Sequence, residues 1–304
     1  MKVLVLGGCG YVGSALCPYL KTNGIEVFSV DLEWFGNPAN IPNRILDMSD
    51  ILDISHIMPL DYDAIVLLAG HSSVKMCLNN LLPTFKNNVQ NFVELLGKVK
   101  KGTKFIYASS SSVYGKVNRS IMDENCIEYV CSNYYDFSKF EIDSYMKMNQ
   151  DVEYYGLRFG TINGFSHNFR NDIMLNSMYA TAMSDKEIRV NNLQVRRPIL
   201  GMYDLCKAIL TILKKGSFEK RGIYNLASFN GSVDAISQRA AKILEVPVRY
   251  MTDTDAYDFA ISTGKFENTF KFNFVETVDS ILFSITENKD NLVMSNRNQP
   301  KFYD

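Results

Sequence analysis

Hydrophobic residues in the first half of the chain alternate between short continuous runs, typical of buried strands, and longer stretches with helical spacing. The apolar runs predict strands at Lys2–Leu6, Glu26–Asp31, Asp63–Ala69, Lys104–Ser109 and Val152–Phe159. Helices are predicted at Tyr11–Asn23, near Asp50–Ile57, at Thr84–Lys98 and at Asn133–Met148. Strands that alternate with helices in this way indicate repeated βαβ units, so the predicted fold class is α/β with a doubly wound parallel sheet.

The pattern becomes less regular beyond residue 160. Helical spacing continues at Asp172–Met183, Tyr203–Lys214 and Val233–Leu244, and short strands are predicted near Glu187–Val190 and Gly222–Leu226. We therefore expect residues 1–160 to form the sheet domain and residues 161–304 to form a smaller C-terminal lobe that is interleaved with it.

Composition narrows the classes of protein that this pattern allows. The 304 residues include 32 basic and 33 acidic side chains, and this balance gives no broad electrostatic field for a nucleic-acid partner. No apolar run reaches the roughly 18 residues of a membrane span. The six cysteines and three histidines are scattered without metal-binding spacing, so we expect reduced thiols, no metal site and a cytoplasmic location.

A glycine-rich segment directly after the first strand carries the first chemical signal. Its sequence is GGCGYVG, from Gly7 to Gly13, and it opens the first predicted helix. Glycine allows a tight turn and a close approach of the backbone to a pyrophosphate at the helix N-terminus. Asp31, at the end of the second strand, is placed to accept ribose hydroxyls and to repel the 2′-phosphate of NADP. The combination predicts NAD binding, although such a segment also occurs as a simple tight turn.

Tyr135 and Lys139 form the second signal, because residues four apart lie on one face of a helix. The ammonium group favours the phenolate, so Tyr135 is suited to exchange a proton with an alcohol hydroxyl. Upstream, the strand ending at Ser109 leads into a run of hydroxyl residues, and doubly wound sheets bind ligands at such strand ends. Taken alone, a Tyr-x-x-x-Lys pattern more often marks a surface tyrosine beside a solvated lysine.

Together these motifs resemble those of the extended short-chain dehydrogenases/reductases, in particular the NAD-dependent epimerase/dehydratase family that acts on nucleotide sugars. The matching segments, in family order over about two-thirds of the chain, are GGCGYVG, Asp31, Asp47-Met48, LLAG at Leu67–Gly70, Asn88-Val89, ASSSSVYG, YDFSK and the RRP segment near Arg197. The resemblance implies a Rossmann-type NAD domain, a nucleotide-sugar-binding lobe and a homodimer formed through the helices at Thr84–Lys98 and Asn133–Met148.

The resemblance also implies a role for each matching residue. Tyr135 resembles the catalytic acid/base, Lys139 the residue that lowers its pKa and holds the nicotinamide ribose, and Ser110 the hydroxyl that binds the reacting sugar oxygen. Besides Tyr135 and Lys139, the cofactor positions are Gly7, Gly10, Tyr11, Val12, Gly13, Asp31, Asp47, Met48, Leu68, Ala69, Gly70 and Asn88. The candidate substrate residues are Ser111, Thr161, Arg170 and Arg197. For the two arginines, a structural salt bridge is the alternative to a diphosphate or sugar contact.

Departures from the family pattern narrow the expected reaction. Ser111 and Ser112 stand where sugar 4,6-dehydratases carry an acidic pair, and no cysteine follows Ser110 as in reductive 3,5-epimerases. Hydride chemistry at the sugar C4 remains, as in UDP-glucose 4-epimerases, although Thr161 and Gly201 replace their usual Asn and His.

Three functions therefore stay open. The first is an epimerase that oxidises C4 of a UDP or GDP sugar to a ketone and then returns the hydride. The second is a dehydrogenase that releases the 4-keto sugar. Residues 158–176 resemble a subgroup that includes dehydrogenases acting at C4 of GDP-heptoses, alongside uncharacterised members usually called epimerases. The third is a non-catalytic NAD-binding scaffold, which the intact Ser110, Tyr135 and Lys139 argue against.

Overall fold

The computed structural model describes residues 1–50, 61–78, 80–116, 121–126, 129–149 and 151–294. Its strands are β1 (Lys2–Leu6), β2 (Glu26–Asp31), β3 (Asn43–Ile45), β4 (Ala64–Leu67), β5 (Lys104–Ser110), β6 (Ile121–Met122), β7 (Tyr154–Phe159), β8 (Thr161–Asn163), β9 (Asn168–Phe169), β10 (Ile188–Val190), β11 (Arg196–Gly201), β12 (Gly222–Leu226), β13 (Phe229–Ser232), β14 (Val248–Tyr250), β15 (Ala260–Ile261) and β16 (Val293–Met294). Its α-helices are α1 (Gly13–Thr22), α2 (Val74–Cys77), α3 (Leu81–Phe85), α4 (Asn91–Leu96), α5 (Tyr134–Met148), α6 (Met174–Asp185), α7 (Met202–Lys215), α8 (Val233–Leu244), α9 (Gly264–Phe270) and α10 (Val278–Glu287). The short helix expected near Asp50–Ile57 falls almost wholly outside the described residues.

Within the described residues, the central sheet has seven strands in the order β12-β7-β5-β4-β1-β2-β3, and every neighbouring pair is parallel. The chain runs outward from β1 through β2 and β3, and then from β4 in the opposite direction. The strand order therefore reverses between β1 and β4, where the loops that follow these strands diverge and leave a crevice. The predicted α/β fold with a doubly wound parallel sheet is confirmed.

Alternate residues of β1 show why the sheet is covered by helices on both faces. Val3 and Val5 pack into one hydrophobic cluster and Leu4 and Leu6 into a second, and all four side chains are buried. The first cluster includes residues of α1 and α7, and the second includes residues of α4 and α5. A strand that is buried on both faces needs apolar side chains at successive positions, as KVLVL has.

The single helix predicted at Thr84–Lys98 is divided in the structure. α3 ends at Phe85, a π-helical turn spans Lys86–Gln90, and α4 begins at Asn91. The side chain of Asn88, within the π turn, is only 6% exposed. Such single π turns inside helices are frequent at functional sites.

Beyond residue 160 a small sheet forms in the order β13-β11-β8, with β11 antiparallel to β13 and parallel to β8. β12 instead joins the edge of the central sheet beside β7. One strand of the central sheet thus comes from residues 161–304, and the expected division into two interleaved parts stays a prediction. No helix in the described part of the chain is long and apolar enough to cross a membrane.

Candidate active site at the carboxyl edge of the sheet

A cavity of about 730 Å³ lies at the carboxyl ends of β1, β4 and β5, where the strand order reverses. Every site residue expected from the sequence, except Asn88, lines this cavity. The lining residues among them are Gly7, Gly10, Tyr11, Val12, Gly13, Asp31, Asp47, Met48, Leu68, Ala69, Gly70, Ser110, Ser111, Tyr135, Lys139, Thr161, Arg170 and Arg197. Side chains from both halves of the chain therefore face one space.

The glycine loop is packed too closely for side chains at Gly7, Gly8 and Gly13. Gly7 has a φ of 89°, and a Cβ atom there would lie 2.5 Å from the amide nitrogen of Ala69. A Cβ atom on Gly13 would overlap the carbonyl oxygen of Gly7. Gly10 differs, because it lines the cavity and a Cβ atom there would approach only that same oxygen, at 3.4 Å. The loop thus presents a groove of backbone atoms at the start of α1 that fits a pyrophosphate group.

Asp31 ends β2 with its side chain on the cavity wall. Its Oδ2 accepts the backbone N–H of Cys9 at 3.0 Å, and its Oδ1 accepts the backbone N–H of Glu33 at 2.7 Å. Burial raises the pKa of Asp31, while these N–H donors lower it. The carboxylate therefore ties the glycine loop to β2 and leaves acceptor capacity for a ribose hydroxyl.

Asn88 lies behind the cavity wall and not on it. Its Oδ1 accepts the backbone N–H of His71 at 2.8 Å, and its Nδ2 donates to the His71 carbonyl oxygen at 3.1 Å and to the Ser138 hydroxyl at 3.0 Å. Asn88 therefore connects the loop after β4 with α5, the helix that carries Tyr135 and Lys139. Its role as a direct contact of the cofactor stays a prediction.

Residues beyond position 160 hold the glycine loop from the other side. The Tyr11 hydroxyl donates to the carbonyl oxygen of Gly164 at 2.8 Å and accepts the Nδ2–H of Asn176 at 2.9 Å. The Nδ2 of Asn168 donates to the Cys9 carbonyl oxygen at 2.8 Å. Both asparagines are fully buried, so these hydrogen bonds are protected from water. The C-terminal half of the chain thus fixes the loop that is expected to bind the cofactor.

Ser110, Tyr135 and Lys139 meet at the end of β5. The helix α5 places Tyr135 and Lys139 about one turn apart, and both residues line the cavity. The Lys139 ammonium donates to the Ala108 carbonyl oxygen at 2.8 Å and lies 5.9 Å from the centre of the Tyr135 ring. The Ser110 hydroxyl lies close enough to the Tyr135 phenol to lower its pKa. The arrangement has the parts of an acid/base site for an alcohol.

Burial dominates the electrostatics of this group. It raises the pKa of Tyr135 to about 12, although the nearby Ser110 hydroxyl and the positive charge of Arg170 both lower it. Burial also lowers the pKa of Lys139 to about 8, and the negative charge of Asp143 opposes that change. The pKa of the Tyr135 phenol is thus above its usual value and not lowered as the resemblance implies, and further positive charge is needed to ionise it at neutral pH.

The two candidate arginines differ in their surroundings. Arg170 forms a bidentate pair with Asp172, with Nε–Oδ1 and Nη2–Oδ2 distances of 2.9 and 2.7 Å. Arg197 lies on β11 and makes no hydrogen bond or ion pair within the described residues, whereas the adjacent Arg196 pairs with Asp258. Burial lowers the pKa of Arg197. An anionic ligand in the cavity would compensate this desolvated charge.

Sequence reasoning missed wall residues that come from irregular loops. Tyr257 and Phe259 line the cavity from a segment without helix or strand, and Trp34 and Phe35 line it from the loop after β2. Such loops have no periodic pattern, and their aromatic residues are the only signal that marks them. In the described segments, no group of three or more His, Cys, Asp and Glu side chains is placed to hold a metal ion.

A model of the NAD dependent epimerase/dehydratase family matches residues 3–227, and the chain belongs to this family. The resemblance seen in the sequence and the expectation of NAD as the cofactor are thereby confirmed. The glycine groove and Asp31 are the features of the fold that suit this cofactor.

Individual relatives share the fold at low identity. The chain is similar to a CDP-paratose 2-epimerase from Salmonella typhi, with 28% identity across 43% of this chain and 43% of that protein. It spans less than half the length of the first curated relatives that it matches. A crystal structure of UDP-glucose-4-epimerase from Stenotrophomonas maltophila, with bound NAD and formylated UDP-arabinopyranose, superposes with a TM-score of 0.84 at 19% identity and covers 94% of this chain and 97% of that one. A crystal structure of dTDP-glucose 4,6-dehydratase from Bacillus anthracis, in complex with NAD, superposes with a TM-score of 0.80 at 22% identity. It covers 95% of this chain and 98% of that one.

Proposed function

We propose that the protein is an NAD-dependent nucleotide-sugar epimerase, which oxidises the sugar C4 hydroxyl to a ketone and returns the hydride to the opposite face. The observation that carries this proposal is the shared cavity. It brings together the glycine groove, the group of Ser110, Tyr135 and Lys139, and the Arg197 guanidinium. A cofactor, a reacting alcohol and the anionic part of the same substrate each have a place in it.

The cofactor end of the cavity is proposed to use backbone and acidic groups. The N-terminus of α1 and the open side of Gly10 would hold the pyrophosphate, and Asp31 would accept the ribose hydroxyls. Asp47 and Met48 line the same end, where we place the adenine. When bound, NAD accepts the hydride and adds a positive charge to the cavity.

Tyr135 is proposed to carry the proton transfer. As a phenolate it removes the proton of the C4 hydroxyl while the C4 hydrogen leaves as hydride, so that the alcohol becomes a ketone. Ser110 would hold the C4 oxygen, and Lys139 would stabilise the phenolate through its charge. After the sugar turns its other face to the cofactor, the hydride returns and Tyr135 gives the proton back.

Arg197 is proposed to bind the diphosphate of a UDP or GDP sugar, because its guanidinium lies on the wall without an ion-pair partner in the described residues. Arg170 already pairs with Asp172, so it has less charge to offer a diphosphate, and we propose for it a contact with the sugar. Ser111 and Thr161 line the same cavity and offer hydroxyl groups to the substrate.

The product distinguishes this function from its alternatives. The purified protein is incubated with NAD and a panel of UDP-, GDP- and dTDP-sugars, and the products are identified by NMR. A C4 epimer without net NADH supports the epimerase. Accumulation of NADH with a 4-keto sugar would assign a dehydrogenase instead, the alternative that the resemblance of residues 158–176 keeps open. Absence of any product would leave a non-catalytic scaffold.

A matched pair of variants tests the acid/base residue. Tyr135→Phe is expected to lower turnover by roughly 100-fold or more, the order of a general acid/base contribution, while NAD still binds. Tyr134→Phe removes the neighbouring hydroxyl from a side chain that is 40% exposed, and it should keep wild-type turnover. Wild-type turnover in Tyr135→Phe would refute the assignment.

A further inference from the structure

The carboxyl group of Asp136 is fully buried directly behind the cavity wall. Its Oδ2 accepts hydrogen bonds from the Tyr257 hydroxyl and from Asn133 Nδ2, each at 2.6 Å. Its Oδ1 is also buried and has no hydrogen-bond partner within the described residues. A buried carboxyl oxygen without a partner is costly, and it therefore requires an explanation.

Ser112 connects this carboxyl group with the acid/base site. The Ser112 hydroxyl lines the cavity, lies 2.7 Å from the Ser110 hydroxyl and is close enough to Asp136 to lower its pKa. Ser110 in turn lies close enough to Tyr135 to lower the pKa of its phenol. The two serine hydroxyls, which contact each other, therefore lie between the Asp136 carboxyl and the Tyr135 phenol.

The surroundings of Asp136 favour its neutral form. The titratable groups that interact with it are the thiols of Cys77 and Cys131 and the phenols of Tyr135 and Tyr257, and none of these carries a positive charge. Burial raises the pKa of Asp136 by more than the donors Ser112, Tyr257 and Asn133 lower it. The first turn of α5 favours an anion through the helix dipole, but the unpartnered oxygen accepts none of its N–H groups.

We propose that Asp136 is a neutral carboxylic acid that positions the hydroxyl groups of the acid/base site. Its Oδ1–H donates to Ser112, Ser112 donates to Ser110, and Ser110 donates to the Tyr135 oxygen. Each donor then points along the row toward the Tyr135 oxygen, which is negatively charged before it takes the C4 proton and again after it returns it. An ionised Asp136 would reverse the row, because Ser112 would donate to the carboxylate and the Ser110 proton would turn away from Tyr135. This inference deepens the proposed function and rests on it for its kinetic part.

The protonation state is tested by infrared spectroscopy of the NAD-loaded protein at neutral pH. The spectrum of wild type minus Asp136→Asn should contain the carbonyl band of a protonated carboxylic acid. Glu141→Gln makes the same chemical change about one and a half turns further along α5, and its difference spectrum should lack that band. A difference spectrum of Asp136→Asn that contains only ionised carboxylate bands would overturn the proposal. This measurement needs no sugar substrate, so it remains decisive if the proposed function fails.

Kinetics test the positioning role with whichever probe sugar supports hydride transfer. Asp136→Asn should keep kcat within about threefold, because its Nδ2 donates to Ser112 while its Oδ1 accepts from Tyr257 and Asn133. Asp136→Ala should lower kcat about tenfold with little change in KM, the order of losing one hydrogen bond to a charged group.

Ser112→Ala provides the same test if Asp136→Ala does not fold. It removes one hydroxyl from the cavity wall and should lower kcat about tenfold. The double variant with Asp136→Ala should have the same kcat as either single variant. A decrease of kcat in Asp136→Asn as large as that in Asp136→Ala would show that the ionised carboxylate is required. Unchanged kcat in Ser112→Ala would show that the row of hydroxyls has no role, and either result would overturn the proposal.

Discussion

Replacing Lys139 by methionine tests how much the buried ammonium group lowers the free energy of unfolding. Lys139 is 8% exposed, and burial lowers its pKa from 10.5 to about 8. This lowering corresponds to about 3 kcal/mol. Below about pH 8 the folded protein carries the full cost of a charged, desolvated lysine. As the pH rises from about 8 to 10.5, the folded form loses the proton before the unfolded chain does, and the cost disappears.

The gain in stability of Lys139→Met should therefore be about 3 kcal/mol larger at pH 7 than at pH 10.5. Urea unfolding of both proteins at both pH values measures this difference. The comparison cancels the pH-independent loss of the hydrogen bond to the Ala108 carbonyl oxygen. Ile142→Met, at a buried position of the same helix, changes packing without changing charge and should have the same effect at both pH values. A gain for Lys139→Met that is equal at the two pH values would refute the reasoning.

Three further changes test the support of the site. The Arg158 Nε and Asp143 Oδ2 atoms lie 2.7 Å apart, and Asp143→Asn leaves the buried Arg158 charge without this partner. The free energy of unfolding should fall by about 3 kcal/mol or more. A loss below about 1 kcal/mol in urea unfolding would contradict this. Burial raises the pKa of Glu276 to about 7, so the stability of the wild type should fall as the pH rises from 4.5 through 7. Glu276→Gln should therefore be more stable than the wild type by up to about 3 kcal/mol at pH 8, but not at pH 4. Equal thermal stabilities of the two proteins at pH 8 would rule this out. Gly10→Ala should keep the melting temperature but weaken NAD binding at least about tenfold in calorimetry. Gly13→Ala should lower both the melting temperature and the affinity for NAD. Undiminished affinity in Gly10→Ala would place the pyrophosphate elsewhere.

The central elements were predictable because they depend on short-range periodicity. The bounds of β1, β2 and α8 agree with the apolar pattern at every residue. The glycine loop and the Tyr135–Lys139 spacing involve residues only a few positions apart, so a local pattern is enough to reveal them. For this reason the glycine loop and the face of α5 that lines the cavity follow closely from the sequence.

Other features depend on packing that no local pattern contains. The helical spacing of Thr84–Lys98 gave no sign of the π turn around Asn88. Tyr257 enters the wall from an irregular segment and completes the surroundings of Asp136. In the sequence, Asp136 is only the second residue of YDFSK, and its burial depends on loops far along the chain.

By itself, the sequence predicted six of the seven strands of the central sheet, the glycine loop after β1 and the Tyr135–Lys139 spacing on α5. Only the tertiary structure decided that Arg197, on a small sheet of the second half, faces the same cavity as Tyr135 and lacks an ion-pair partner among the described residues. It also decided that the Asp136 carboxyl lies buried behind Ser112. The physical reason is that periodicity shows which face of an element is buried, whereas its neighbours are set by how distant segments pack.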